Sequence, residues 1–284
     1  MPEVALALGV LIDGGAEHLR RSSLADARRE ALRIWTELAD GCITDALLSR
    51  EVGVGPVVAQ RYRQAIVRRA GGEPLAHVTG QAGFRHLTLR SDSRALIPRP
   101  ETEGLVDLLL ERIPAGRVAD IGTGSGCIAL SLALEGRYDD VIAVDSSPDA
   151  LALARVNCEL QGVRVNLVRA DLCSALRPAS IDALVSNPPY LTRAEYAGLD
   201  RSVRDWEPEA ALVSGEDGLE ATARLLEEGP GVLRPGGWLA IEIDCGRAVA
   251  AARRAAQLGW QDVSVHRDLF GRERYLLARR SNAL

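Results

Sequence analysis

The sequence predicts an α/β protein: a doubly wound, mostly parallel seven-stranded sheet, preceded by a small all-helical N-terminal domain and a β-hairpin linker. Three observations carry this expectation. From about residue 117 onward, short β-rich runs alternate with helical stretches. A glycine-rich turn separates the first of those strands from the helix after it. Before residue 75 the apolar residues recur at three- and four-residue spacing, the period of a helix.

In chain order, residues 1–75 read as the helical domain. Leu24, Ala27, Ala31, Ile34, Trp35 and Leu38 mark one helix, which Gly41 ends; the pattern is helical from Ala16. Val57, Val58, Tyr62, Ala65 and Ile66 mark another, between Pro56 and Gly71-Gly72. Residues 76–100 read as the linker, where Phe84 and the alternation of Leu87, Leu89 and, across a turn, Leu96 predict a hairpin. Pro98 and Pro100 then fix an extended path into a helix carrying Leu105, Val106 and Leu108–Leu110. Residues 101–284 form the α/β domain. Its strands are expected at Arg117–Ile121, Val141–Asp145, Val163–Val168, Ile181–Ser186, Trp238–Ile243, Asp262–His266 and Tyr275–Ala278. The last two follow closely on each other and predict an antiparallel edge.

Composition excludes several function classes. The net charge is −5, so the basic field that a duplex-gripping protein uses to displace counterions is missing. All 34 basic residues are arginine. Without lysine there is neither a P-loop nor Schiff-base chemistry. Cys42, Cys127, Cys158, Cys173 and Cys245 are widely spaced and form no C-x-x-C, and no H-E-x-x-H occurs, so reduced thiols and no metal site are expected. The apolar run Val4–Ile12 lacks a basic flank and falls short of the ~20 residues that span a bilayer. A cytoplasmic monomer with no membrane contact is expected.

Two motifs carry chemistry. Gly122-Thr123-Gly124-Ser125-Gly126 follows the first strand, where glycines let the backbone approach a ligand and the next helix adds N–H groups. The spacing is G-x-G-x-G, not the G-x-G-x-x-G of nicotinamide dehydrogenases. Asp145 ends the next strand, where a carboxylate accepts from both hydroxyls of a ribose; Asp171 ends the following step, placed to face an adenine amino group. A mere tight turn with a solvated carboxylate is the alternative. This layout resembles that of class I methyltransferases.

The second motif, Asn187-Pro188-Pro189-Tyr190, follows the strand Ile181–Ser186. An amide nitrogen is a poor nucleophile because its lone pair is delocalised. The Asn187 side-chain oxygen and the Pro188 carbonyl can accept from its two N–H groups, aiming it and stabilising the charge that develops as a methyl arrives. The prolines hold the backbone extended and contribute no competing N–H. Tyr190 offers a flat face to a planar amide or base. A proline turn closing the strand is the bland alternative.

Together these residues resemble the N5-glutamine methyltransferases that modify peptide-chain release factors. The likeness rests on Gly72-Glu73-Pro74-Leu75, Leu96–Glu103, the glycine turn, Asp145, the motif at Asn187, Glu207-Pro208, Leu233–Gly237 and Asp268–Arg274. It implies a cofactor, S-adenosyl-L-methionine, held by Gly122–Gly126, Asp145, Asp171, Leu172 and Asn187. It implies a glutamine amide held by Asn187, Pro188, Pro189 and Tyr190, with Arg99, Pro100 and Glu101 bordering the pocket. The implied partners are release factors 1 and 2, recognised in part by the helical domain, without direct nucleic-acid binding. Two other readings stand beside this one: an N-methyltransferase of adenine in nucleic acid or of another protein glutamine, and a catalytically silent cofactor-binding protein.

Overall fold

A computed structural model of the protein describes residues 6–39 and 41–282. The chain groups into two units, one running up to Gln81 together with Asp200–Trp206, the other Ala82–Leu199 with Glu207 onward.

In the first unit, strands β1 (Leu6–Ala7) and β2 (Gly53–Val54) pair antiparallel. Around them lie α1 (Leu8–Arg21), α2 (Ala27–Leu38), α3 (Ile43–Leu48), α4 (Pro56–Ala70) and α5 (Leu75–Thr79). The apolar stripes bury Leu11, Ile12, Leu19, Ala31, Ile34, Tyr62 and Ile66. Tyr62 donates to the Ala31 carbonyl at 3.1 Å, the partner a buried phenol needs. The first helix starts at Leu8, earlier than the expected Ala16, so most of the run ending at Ile12 is helical core; Val4 and Ala5 lie outside the described residues. Residues 75–79, read as the approach to the hairpin, are also helical. Arg68 explains this helix: its guanidinium donates to the carbonyls of His77 and Val78 at 3.1 and 3.3 Å, supplying a cation at a helix C-terminus.

The second unit begins within a hairpin of β3 (Gln81–Phe84) and β4 (Leu87–Arg90). Then come α6 (Pro100–Arg112), β5 (Ala115–Ile121), α7 (Cys127–Glu135), β6 (Arg137–Asp145), α8 (Pro148–Gln161), β7 (Asn166–Arg169), β8 (Ile181–Ser186) and α9 (Arg193–Ala197). After α10 (Arg201–Arg204), which groups with the first unit, follow α11 (Glu220–Val232), β9 (Leu233–Glu242), α12 (Ala248–Gln257), β10 (Gln261–Arg267) and β11 (Glu273–Arg279). The seven-stranded sheet has the order β10-β11-β9-β8-β5-β6-β7. β11 runs opposite to the other six strands and pairs antiparallel with both β10 and β9.

Successive residues of each strand point to opposite faces, and each face has its own core. Val118, Ala143, Val185 and Leu277 pack against the hairpin, α6 and α7. Ala119, Val144, Leu184 and Leu276 pack against α11 and α12. The expected antiparallel edge forms from the last two strands: β10 is the edge strand on that side, and β11 lies between it and β9, antiparallel to both. The unbroken buried run from Tyr275 to Ala278 suits a position covered on both faces, whereas Asp262-Val263-Ser264-Val265 alternates as an edge does.

Candidate active site

The parallel strands β5, β6 and β8 bring their carboxyl ends together: Ile121 pairs with Val144 on one side and Ser186 on the other. A cavity of about 370 Å³ opens over these ends. Gly122, Thr123, Gly124 and Ser125 line it after β5, Asp145 after β6, Asp171 and Leu172 after β7. Asn187 and Pro189 line it after β8. Residues from four successive strand ends thus share one space.

The glycine turn is laid open to that space. Gly122 and Gly124 have φ of 72° and 55°, where a side chain would be strained, and a Cβ on Gly122 would meet no atom within 4 Å. The turn is held from beneath. Gly122 and Thr123 donate their N–H groups to the Val144 carbonyl at 2.8 and 3.0 Å. The Thr123 hydroxyl and the Ala129 N–H both donate to Oδ2 of Asp120, at 2.6 and 3.2 Å. Gly126 caps α7 and is not in the cavity wall. Cys127 begins α7, and burial pushes its thiol up to about 12, so it is a packing group and not a nucleophile.

Asp145 accepts from the Gly124 N–H through Oδ2 and from the Ser147 N–H through Oδ1, both at 2.9 Å. Each oxygen retains a lone pair for a ligand hydroxyl. Asp171 is mostly exposed and accepts from Arg224 at 2.9 and 3.3 Å, so an adenine amino group would share it with a guanidinium. Leu172 takes a φ of 46°, a left-handed conformation worth roughly 1–3 kcal/mol of strain in a residue other than glycine.

Asn187 follows Ser186, whose hydroxyl donates to the Ile121 carbonyl at 2.7 Å and so ties the ends of β8 and β5. The Asn187 Nδ2 donates to Thr102 Oγ1 at 3.0 Å, and the Thr102 hydroxyl donates to Glu242 Oε2 at 2.7 Å. Of the motif, Asn187 and Pro189 line the cavity, Pro188 between them in the chain is buried, and Tyr190 is half-buried. The N–H groups of Tyr190 and Leu191 donate to the Leu212 carbonyl at 3.2 and 2.9 Å, which fixes the chain after the prolines. Burial, with the Glu242 carboxyl adding to it, pushes the Tyr190 phenol up to about 12, so it stays protonated.

Arg99 lines the cavity and donates to the buried Glu207 at 2.6 Å; the same carboxylate accepts from the Ile97 N–H at 2.9 Å. Pro100 and Glu101 open α6 and lie outside the wall, because the helical turn directs Thr102 there instead. Four residues of the site had no role assigned from sequence: Thr102, Asp120, Glu207 and Glu242. Thr102 and Glu207 fall in stretches that carry the family likeness, and beyond that the signal was polarity out of place. Glu242 ends the apolar run Leu239–Ile241, and Thr102 opens the buried stripe Leu105–Leu109.

The residues fit S-adenosylmethionine, a cation that carries two ribose hydroxyls. Oδ1 of Asp120 is buried without a hydrogen-bond partner, and Asp145 lies close enough to add to the burial that pushes Asp120 up to about 7. A cation beside this carboxyl pair would favour the charged form of Asp120, and by the same coupling the pair favours a cationic ligand. Among the described residues no group of His, Cys, Asp or Glu could hold a metal ion, and no helix is long and apolar enough to cross a membrane.

Comparison with known proteins agrees with this geometry. Residues 11–80 match the PrmC N-terminal domain, and residues 101–200 match the methyltransferase small domain. A release factor glutamine methyltransferase of Moorella thermoacetica is 42% identical over 274 residues, covering 93% of this chain and 96% of its own. Another, from Nitratidesulfovibrio vulgaris, is 44% identical over 227 residues, 78% of this chain and 77% of its own. Two solved structures share the fold. A methyltransferase from Pyrococcus furiosus has a TM-score of 0.54 at 22% identity, over 77% of this chain and 98% of that one. The hMettl16 catalytic domain, solved with a MAT2A 3'UTR hairpin, has a TM-score of 0.57 at 18% identity, over 81% of this chain and 83% of that one.

Proposed function

Because the chain belongs to the release factor glutamine methyltransferase family, we propose that it methylates the side-chain amide nitrogen (N5) of the glutamine in the Gly-Gly-Gln loop of release factors 1 and 2. The observation that carries this reading is the single cavity shared by Gly122–Ser125, Asp145 and Asn187. It brings a cofactor cradle and an amide-binding asparagine within reach of one reacting centre.

S-adenosylmethionine supplies an activated methyl group on a sulfonium sulfur that departs as a neutral thioether. Gly122–Ser125 would hold its amino-acid end, with Gly126 shaping the turn from outside the wall, Asp145 its ribose, and Asp171 with Leu172 the rim beside its adenine. Asn187 Oδ1 and the Pro188 carbonyl would accept from the two N–H groups of the substrate amide, drawing its lone pair out of conjugation. Pro188 and Pro189 keep those acceptors rigid, and Tyr190 backs them. Positioning of this kind can lower a barrier by about 7–11 kcal/mol. The nitrogen becomes acidic only once methylated, so no side chain has to act as a base beforehand.

Residues 1–75 are proposed to recognise the release factor, with 76–100 as linker and 101–284 as the catalytic domain. The enzyme would meet its substrate in the cytoplasm, acting as a monomer, and its charge of −5 favours a protein over a nucleic-acid substrate. The test is mass analysis of release factors incubated with the protein and S-adenosylmethionine. One added methyl on the Gly-Gly-Gln glutamine is expected. Tritium from labelled cofactor on unmethylated DNA, with none on release factor, overturns the proposal.

A further inference from the structure

An asparagine side chain has two ends of nearly equal shape and opposite chemistry. Glutamine methylation, as proposed above and on which this inference rests, needs the acceptor end of Asn187 turned toward the substrate NH2. The other end would set donor against donor. Something must choose between the two orientations, and the prolines cannot, since they fix only the backbone.

The choice is built from elements far apart in sequence. Thr102 lies in the first turn of α6 and is 2% exposed; Glu242 ends β9 and is 1% exposed. Asn187 Nδ2 sits 3.0 Å from Thr102 Oγ1, which sits 2.7 Å from Glu242 Oε2. We propose that Thr102 and Glu242 are positioning residues that set the direction of the Asn187 carboxamide, and so select a substrate that offers an NH2 group.

A hydroxyl carries one proton. A carboxylate only accepts, so the Thr102 proton is committed to Glu242. What remains on Oγ1 is lone pairs, against which only the Nδ2 end of Asn187 can rest. Reversal would press Oδ1 against those lone pairs in a dry site, which is costly. Protonated Glu242 removes the rule, because it can donate to Thr102 and release the hydroxyl proton toward Asn187.

The groups facing Glu242 are Arg274 from β11, Arg99 and Glu101 at the start of α6, and Tyr190; Tyr275 and Cys127 also sense its charge. The two arginines favour the carboxylate, but burial outweighs them and holds the carboxyl up at about 7. Direction, and with it turnover, is therefore lost as the solution becomes more acidic than that.

The experiment is steady-state kinetics of the full chain on release factor, with S-adenosylmethionine affinity by calorimetry and a thermal melt for each variant. Thr102→Val, close in shape but without the hydroxyl, is expected to lower kcat about 100-fold, as a small misplacement of a positioning group does. KM for release factor and cofactor affinity stay near wild type. Thr102→Ser, which restores the hydroxyl, recovers kcat relative to the valine variant. Glu242→Gln cannot titrate, so whatever its kcat at neutral pH, the fall in kcat below about pH 7, read with S-adenosylmethionine saturating so that Asp120 does not contribute, disappears. Should Thr102→Val melt early, the serine variant and the Glu242→Gln pH profile decide, since both preserve the packing. A wild-type kcat in Thr102→Val, a serine variant no better than the valine one, or an unchanged acid limb in Glu242→Gln overturns the inference. If wild-type protein leaves release factor unmethylated, the proposed function falls too; indifference of the variants beside an active wild type removes only the positioning role.

Discussion

Asp120 shows how a single carboxylate can serve the ligand at the fold's expense. Its Oδ2 gathers the Thr123 hydroxyl and the Ala129 N–H, while its Oδ1 is buried with no partner. Burial raises its pKa from the ordinary carboxylate value to about 7. Between those two values the folded chain binds a proton that the unfolded chain has lost, so stability falls as pH rises through the interval. Asp120→Asn removes the titration. Its unfolding free energy relative to wild type, from denaturant titrations, is therefore expected to improve as pH goes from about 5 to about 8, by on the order of 2–4 kcal/mol at most. Its affinity for S-adenosylmethionine, measured by calorimetry, falls. Asn187→Ala makes the opposite division: cofactor affinity is nearly kept, while turnover on release factor drops on the order of 100- to 1,000-fold, as when a positioned hydrogen-bonding group is deleted. Turnover equal to wild type would place the chemistry elsewhere. At this scale the glycine turn, Asp145 and Asn187 were legible because each sits beside its own strand end in a local pattern. Thr102 and Glu242 were not, since 140 residues separate them and only folding makes them neighbours.

Elements constrain one another through a few close approaches. Gly104 lies inside α6, where alanine would ordinarily favour the helix. A Cβ there would strike the Tyr275 hydroxyl, which itself donates to the Glu101 carbonyl in the first turn of that helix. Gly104→Ala is expected to lower stability by about 1–3 kcal/mol in denaturant unfolding, because overpacking outweighs propensity. Asn157 on α8 plays a joining role. It is fully buried, accepts from the Arg90 N–H at 2.7 Å, and donates to the Ser125 carbonyl at 2.9 Å, so one side chain joins the hairpin to the glycine turn. Asn157→Leu strands those backbone groups, each at about 1–3 kcal/mol. Both the melting temperature and cofactor affinity should fall; unaltered affinity would show the turn to be independent of the hairpin. Helices with a long apolar stripe and strands flanked by turns were readable from their periods. The two-residue pair β1–β2 and the short α5 were not, since neither spans enough residues to display a period, and α5 leans on Arg68 for its cap.

On the scale of the whole molecule, the chain passes between its two units three times, because Asp200–Trp206 returns to the first. No single cut therefore separates them cleanly. A fragment beginning at Ala82 would carry α10 without the residues it packs among. Trypsin is expected to cleave such a fragment at Arg201 and Arg204 faster than it cleaves the full chain, as followed by mass spectrometry. Equal rates would show that the segment is ordered by the second unit instead. The alternation of strand and helix predicted the parallel sheet, since each strand carries its own signal. The interior place of β11 was harder to read, because chain order suggested a simple terminal pair. The distinction lay in its unbroken apolar run.

That place has a consequence during synthesis. β9 and β10 are made before the strand that will lie between them, so a nascent chain exposes two unpaired edges until residue 279 has left the ribosome. Such edges invite pairing with other chains. The later stages of production are thus the hazardous ones, and a message cut short ahead of this strand would yield a sticky product and not merely an inactive one.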